Sequence, residues 1–441
     1  HPVAHSFPTR RSSDLASVPA GPLPAAAAPP VEADTADEEE VEDLEVHAPI
    51  AAPHQSIDDP DGRALAPLYD ALAALERGRR EEPARLLFYG DSILTSDYLT
   101  GQVRRLLQRR FGDGGHGFVL LGRPWRWYKH EDVRHGAGGH WTDRPLTSHP
   151  VADGRHGLGG VAFEANRAGR ARAWVATSED EESDVGHRAA RFDVSFLGQP
   201  GGGSFDVLVD REPVATVSTE RDERRVEHRL FETPLGPRRL QIETNADGPV
   251  RVFGVTVETG RPGVVVDCLA INGARASILS RFDPDHWRRE LEHRRPDLIA
   301  LMFGANEGHS ALLALKQYRR DLDEILGFLR EVLPDAGRLV IGPLDQARRL
   351  PDGRFVSRKM PIRLGRVQRE VAHENGFAYF DTWSAMGGEG SMGKWVRKGL
   401  GGGDFIHPTK RGARRIGNWI SEAILYGYQV SRRSRPDSGS P

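Results

Sequence analysis

Apolar and polar positions alternate in two textures along this chain, one helical and strand-like by turns, the other of period two. Leu65, Leu68, Leu72 and Leu75 recur at helical spacing, with Pro67 suited to the first turn. The unbroken apolar run 86–89 then reads as a buried strand, Gly90-Asp91-Ser92 as a tight turn, and Tyr98, Val103, Leu106 and Leu107 as the inner side of a helix. After residue 262 the same alternation returns, with strands predicted at 264–269, 298–303, 339–341 and 377–380. Helices are predicted between them at 284–293, 311–333 and 362–375, and a last one carries Ile416, Ile420 and Ile424. Short buried strands alternating with amphipathic helices specify a parallel sheet covered on both faces.

From about 171 to 258 the period is two, as in Phe192/Val194/Phe196, Phe205/Val207/Val209 and Leu240/Ile242, with a Gly-rich turn at 198–204. That texture predicts an antiparallel β-sandwich with a core of its own, inserted after the first strand–helix unit. Residues 112–165 are rich in Gly and His without clear period and are expected to form a long loop region. The expected division is a tail at 1–56, the first part of an α/β domain at 57–165, the inserted module at 166–261, the second part at 262–430 and a tail at 431–441. Ala, Pro and acidic residues dominate 16–56, too little apolar surface to repay chain ordering. The first 15 residues share neither that composition nor the apolar core of a signal peptide, and are expected to be adaptor sequence or a truncation remnant outside the fold.

Charge narrows the partners. The chain of 441 residues holds 60 Lys+Arg against 63 Asp+Glu, a net of −3. Nine acidic residues and no basic ones lie between 32 and 45, so the remainder is mildly basic at +6. Neither value sets up a field for nucleic acid, and no nucleic-acid partner is expected. One cysteine, Cys268, excludes an intramolecular disulfide and a cysteine zinc cage. No apolar run approaches the roughly 20 residues of a membrane-spanning helix.

Four short segments fall at predicted carboxyl ends of parallel strands or just before the last helix, where open sheets bind ligands. They are Gly90-Asp91-Ser92, Asn272-Gly273, Gly304-Ala305-Asn306 and Asp404-Phe405-Ile406-His407. Ester cleavage needs a nucleophile, a base for its proton, a group to orient the base and donors for the developing oxyanion. A serine hydroxyl, an imidazole with a carboxylate three positions away, a glycine that admits close backbone approach and a neutral amide donor fill those needs.

These segments, in this order, resemble the sequence blocks of the SGNH, or GDSL, hydrolase superfamily over roughly 83–160 and 262–428. The resemblance implies a flavodoxin-like three-layer α/β/α fold. It implies Ser92 as nucleophile, His407 as base and Asp404 as its orienting partner. The oxyanion hole would comprise the Ser92 and Gly273 N–H groups and the Asn306 side chain. No metal and no organic cofactor is implied. Past Gly90-Asp91-Ser92 the chain reads Ile-Leu-Thr-Ser-Asp97, where many relatives carry a longer block. An inserted β-module, together with residues 386–400, resembles bacterial carbohydrate O-acetylesterases, those acting on peptidoglycan included. The expected substrate is therefore an O-acetylated cell-envelope polysaccharide and the expected location outside the cytoplasm, periplasmic, envelope-associated or secreted. An O-acyltransferase with the same triad and a non-catalytic carbohydrate-binding envelope protein are the alternatives. The sequence leaves oligomeric state open.

Other residues carry weaker signals. Trp125, Trp127 and Tyr128 are candidate sugar-stacking residues, with ordinary packing as the competing reading. His116, His130, His135, His140, His149 and His156 crowd the predicted loop but lack the spacing of a zinc site, and read as surface residues. Glu307 either polarises the site or is a solvated loop carboxylate, and the basic pairs Arg104/Arg105 and Arg109/Arg110 read as a solvated helix face.

Overall fold

The computed structural model describes residues 52–180, 183–310 and 314–434, so most of both expected tails lies outside the described residues. The leucine spacing makes helix α1 (Ala66–Glu76), with proline in its first turn. The apolar run makes β1 (Ala84–Gly90), and the turn through Asp91 and Ser92 leads to α2 (Tyr98–Phe111). Next come β2 (Gly115–Val119), β3 (Val133–Gly139), β4 (Thr142–Pro145) and β5 (Val161–Ala165). The period-two stretch supplies β6 (Ala171–Thr177), β7 (Ala189–Gly198), β8 (Ser204–Val209) and β9 (Glu212–Ser218). It closes with β10 (Arg225–Gly236), β11 (Arg239–Thr244) and β12 (Val250–Glu258).

The alternating texture then resumes with β13 (Val264–Ala270), α3 (Pro284–Arg294), β14 (Leu298–Met302), α4 (Ala305–His309) and α5 (Leu315–Val332). The first residues of the helix expected at 311–333 lie outside the described residues. β15 (Gly337–Ile341), the short hairpin β16 (Ala347–Arg349) and β17 (Phe355–Ser357), α6 (Lys359–Glu374) and β18 (Ala378–Phe380) follow. The chain ends on α7 (Thr382–Ala385), α8 (Ser391–Arg397) and α9 (Lys410–Ser434).

Five strands form one parallel sheet in the order β13-β1-β14-β15-β18. Successive residues of β1 feed opposite faces: Leu86 and Phe88 pack with α1, α2 and α9, whereas Leu87 and Tyr89 pack with α3, α5 and α6. The three-layer α/β/α arrangement follows from that alternation. Two antiparallel sheets form the insert, β10-β7-β12-β5-β4 with β2 added on β12, and β3-β6-β11-β8-β9. Their side chains meet in contacts such as Phe196 on β7 against Phe205 on β8, ring centroids 5.4 Å apart.

Two expectations change. The stretch 112–165 is not a loop region: β2 through β5 all pair within the inserted sheets, ahead of the expected boundary at 166. β3 and β4 end their sheets, and an edge strand with partly exposed faces needs few apolar residues, so Val133–Gly139 and Thr142–Pro145 show no period-two signal. Nor does the insert have a core of its own. Phe192, Val194, Val252 and Val255 belong to the same buried cluster as Tyr89, Ile271, Trp287 and Ile325.

Buried polar groups reinforce that union. Arg294 on α3 donates to Glu258 on β12 at 2.5 Å and to Asp267 on β13 at 2.7 Å, and Arg85 on β1 donates to Glu258 at 2.9 Å. Burial opposes ionisation of Glu258, yet the two guanidinium groups outweigh it and hold its carboxyl down at about 2. Arg104 departs from the solvated-face reading: it is buried on α2, ion-paired with Asp97 at 2.9 Å and bonded to the Val266 carbonyl. Its neighbours Arg105, Arg109 and Arg110 pair with Asp132, Asp184 and Glu76. Among the described residues no helix is long and apolar enough to cross a membrane.

Candidate active site

Three of the four sequence segments follow strands of the parallel sheet, the fourth lies between α8 and α9, and the fold brings them together. β1 stops at Gly90 and its turn exposes Ser92, whose Oγ lies 2.7 Å from His407 Nε2. His407 Nδ1 lies 2.6 Å from Asp404 Oδ2. The other Asp404 oxygen accepts the backbone N–H groups of Ile406 and His407, each at 3.0 Å, so the carboxylate is held within its own turn. Closing that turn in four residues puts Phe405 at φ 61°, a left-handed conformation costly for a bulky residue, and its ring packs on Phe355 with centroids 4.5 Å apart. Burial raises the cost of charging Asp404, but hydrogen bonds and charge from His407, with the two backbone donors, outweigh it and hold the carboxyl below its usual range. It is therefore an anion at neutral pH, able to fix the imidazole tautomer and to stabilise an imidazolium.

The candidate donors lie on two further loops. After β13, Gly273 sits at φ +72° with no atom within 4 Å of where a Cβ would be, so it is backbone conformation rather than crowding that favours glycine there. After β14, Gly304 brings the chain so close to Pro343 that a Cβ would meet it at 2.6 Å, and Asn306 follows on the single turn α4. One N–H of the Asn306 amide donates to the Ala274 carbonyl at 2.7 Å, which anchors it to the Gly273 loop and leaves the second N–H for a ligand.

Two carboxylates below the surface tie these loops into one unit. Asp91 is buried and accepts the N–H groups of Gly304 and Ala305 through one oxygen and of Ile93 through the other, at 2.9 to 3.0 Å. The Ser92 turn is thereby fastened to the Asn306 turn. Glu307 is fully buried, not solvated, and its Oε1 accepts the Ala276 N–H at 2.7 Å. Burial, and then the nearby Asp91 carboxyl, push Glu307 up to about 7. Both lie beside residues that the chemistry singles out. Their positioning role was hidden in the sequence because it depends on long-range partners.

The weaker candidates divide. Trp125 and Tyr128 lie in the hydrophobic core, and Tyr128 Oη accepts the Leu120 N–H at 2.9 Å, which favours the packing reading over sugar stacking for these two. Trp127 stays partly exposed, in a segment whose Lys129 N–H reaches the Thr95 carbonyl beyond Ser92. His116, His130, His135 and His156 are buried rather than on the surface. Burial holds His116 down at about 3 and His135 and His156 at about 4, so they are neutral packing residues at pH 7. Among the described residues, the His/Asp cluster with metal-ligand spacing is Asp193, His228 and His293, on elements that carry no member of the Ser92 group.

Comparison with known proteins agrees with this architecture. Residues 245–415 match the GDSL-like Lipase/Acylhydrolase family, a span that includes Gly273, Asn306, Asp404 and His407 and leaves Ser92 on the far side of the insert. No curated protein matches the chain. Among solved structures, a peptidoglycan O-acetylesterase superposes with a TM-score of 0.70 at 24% identity, covering 86% of this chain and 99% of that one. A family two carbohydrate esterase from Cellvibrio japonicus matches at a TM-score of 0.28 and 11% identity, over 67% of this chain and 99% of that one. A salicylyl-acyltransferase from a tetracycline biosynthetic pathway matches at 0.25 and 14%, over 69% and 97%. The chain thus carries over residues 245–415 a match to the GDSL-like Lipase/Acylhydrolase family, on an α/β sheet interrupted by an inserted antiparallel module and with the fold of a solved peptidoglycan O-acetylesterase.

Proposed function

We propose that this chain is a serine esterase that removes O-acetyl groups from a cell-envelope polysaccharide such as peptidoglycan, through an acyl-enzyme on Ser92. The observation that carries the reading is the continuous hydrogen-bonded line from Ser92 Oγ through His407 to Asp404, at 2.7 and 2.6 Å. His407 Nε2 takes the Ser92 proton as Oγ attacks the acetyl carbonyl, while the Asp404 carboxylate holds Nδ1–H and steadies the imidazolium. In this reading the carbonyl oxygen becomes an anion stabilised by the N–H groups of Ser92 and Gly273 and the second N–H of Asn306. Collapse expels the sugar hydroxyl, which receives its proton from His407. A water then attacks the acetyl-enzyme with His407 again as base, releasing acetate and restoring Ser92. No step asks for a metal or an organic cofactor.

The substrate class rests on the likeness to a peptidoglycan O-acetylesterase, which at 86% of the chain extends through the inserted sheets. In this reading the module, from β2 to β12, gives a polymer a surface beside the nucleophile, with Trp127 as an aromatic contact. A substrate in the cell envelope places the protein outside the cytoplasm. The test is acetate release from O-acetylated peptidoglycan, O-acetylated xylan and an aryl acetate. Peptidoglycan and the aryl acetate should both be cleaved, and Ser92→Ala should abolish cleavage and covalent labelling by an organophosphonate. Stoichiometric labelling of Ser92→Ala, or no release from any of the three, overturns the reading.

A further inference from the structure

Five side chains that no ester-cleaving step uses converge where the inserted sheet packs on α3. Asp193 and Ser195 lie two apart on β7 and so face the same way. His228 on β10 stands opposite Ser195 in the antiparallel register. Glu290 and His293, three apart, share one side of α3. Asp193 Oδ2 lies 2.6 Å from His293 Nε2 and 3.9 Å from His228 Nδ1. One ligand atom from each of Asp193, His228 and His293 falls within 4.8 Å of the other two.

The bland account, a hydrogen bond between His293 and Asp193, leaves two features unexplained. The two imidazoles stack 3.6 Å apart and 14° from parallel, an arrangement that tolerates no positive charge on both rings. His228 Nε2 is buried without a hydrogen-bond partner, 3.7 Å from Glu290 Oε2, while the other Glu290 oxygen accepts the Ser195 hydroxyl at 2.9 Å. Histidines that bind metal through one nitrogen ordinarily give the other N–H to a carboxylate, which fixes the tautomer. Glu290 occupies that place for His228.

We propose that Asp193 Oδ2, His228 Nδ1 and His293 Nε2 bind one zinc-class divalent ion that clamps the inserted module to helix α3. Two imidazoles and one carboxylate are a donor set for such ions, and the partly exposed His293, its side chain 44% accessible, gives an entry path and room for a water as fourth ligand. Bonds of about 2.0 Å in a tetrahedral site set ligand atoms about 3.3 Å apart. The 3.9 Å between His228 and Asp193 must therefore close by about half an ångström as the ring stack opens. Binding through His293 Nε2 moves that ring's proton to Nδ1, and His228 turns its Nε2–H onto Glu290. The ion is structural, which departs from the expectation of a metal-free chain but leaves Ser92, Asp404 and His407 untouched.

The experiment uses tag-free full-length chain stripped with a chelator, titrated with zinc against a chromophoric competitor, with thermal unfolding followed in parallel. Wild type should take up one zinc tightly per chain and unfold at higher temperature when loaded. His293→Ala should lose both effects, and Glu290→Gln should weaken binding by about 10-fold or more. Aryl acetate hydrolysis at room temperature should be the same for stripped, loaded and His293→Ala protein. His293 is accessible enough for its alanine variant to fold; should His228→Ala not fold, the His293 result still decides. Zinc affinity and thermal shift unchanged in His293→Ala, or the absence of a tight stoichiometric ion in wild type, overturns the proposal.

Discussion

Glu307→Gln isolates the energetic consequence of burying an acid beneath the loops that carry Gly273 and Asn306. Burial, reinforced by Asp91, raises the Glu307 carboxyl from 4.5 to about 7 in the folded chain. Below pH 4.5 the group is protonated in both folded and unfolded chains and costs nothing. Between 4.5 and 7 the unfolded chain ionises and the folded one does not, so stability falls as pH rises, at up to about 1.4 kcal/mol per pH unit. Above 7 both are ionised and the loss stays constant at about 3 kcal/mol. Glutamine keeps an oxygen for the Ala276 N–H but does not titrate. Its NH2 meets the unpartnered side of the carboxyl and costs about 1 kcal/mol at every pH. Urea unfolding of both proteins at pH 4.5, 5.5, 6.5 and 7.5 measures the difference. It should shift in favour of the glutamine variant by about 3 kcal/mol across that range, with other titrating groups cancelling. Parallel stability–pH curves would refute the account of Glu307 as a buried acid raised by its surroundings.

Asn306→Ala should lower kcat by about 10²–10³-fold with KM little changed if, as proposed, its second N–H acts on the developing oxyanion; steady-state kinetics on an aryl acetate check this, and a KM effect alone would move Asn306 to ground-state binding. Asp404→Asn should cost about 10⁴-fold in kcat by favouring the wrong imidazole tautomer, while a phosphonate still reaches Ser92 slowly. Replacing 171–258 by a short Gly/Ser linker should yield no folded protein, because residues of β7 and β12 share their core with Tyr89 and Trp287; a folded deletion variant by circular dichroism, active on aryl acetate, would contradict the shared core.

What the sequence displayed depended on how local each signal was. The four segments around Ser92, Gly273, Asn306 and His407 were readable because each is short and sits at a strand end or before a helix, and the fold then sets Ser92 and His407 within 2.7 Å. The parallel strands were readable for a related reason: β1 is buried along its whole length, and its residues 86–89 leave an unbroken apolar run. β3 and β4 were not, since edge pairing is satisfied through the backbone and asks little of side chains. Arg104 looks like any helix-surface arginine until Asp97, seven residues earlier, turns out to be buried with it. The same holds for Glu307 and for the buried histidines, whose environment is supplied by segments far away in sequence. Trp125 and Tyr128 left two readings open because an aromatic residue in a segment without period can stack on a ligand or pack inside, and only their burial in the core decides for packing.

The continuity of one core through both sheet systems removes any hinge between them. Arg294 reaches from α3 to the last inserted strand and the next parallel one, so neither body can swing without stripping a buried guanidinium of its partners. A polymer resting on the insert would be presented to Ser92 at a fixed offset, in the way a fence on a saw bench sets the width of every cut. Selection among acetylated positions would then follow spacing along the polymer rather than the affinity of any single sugar.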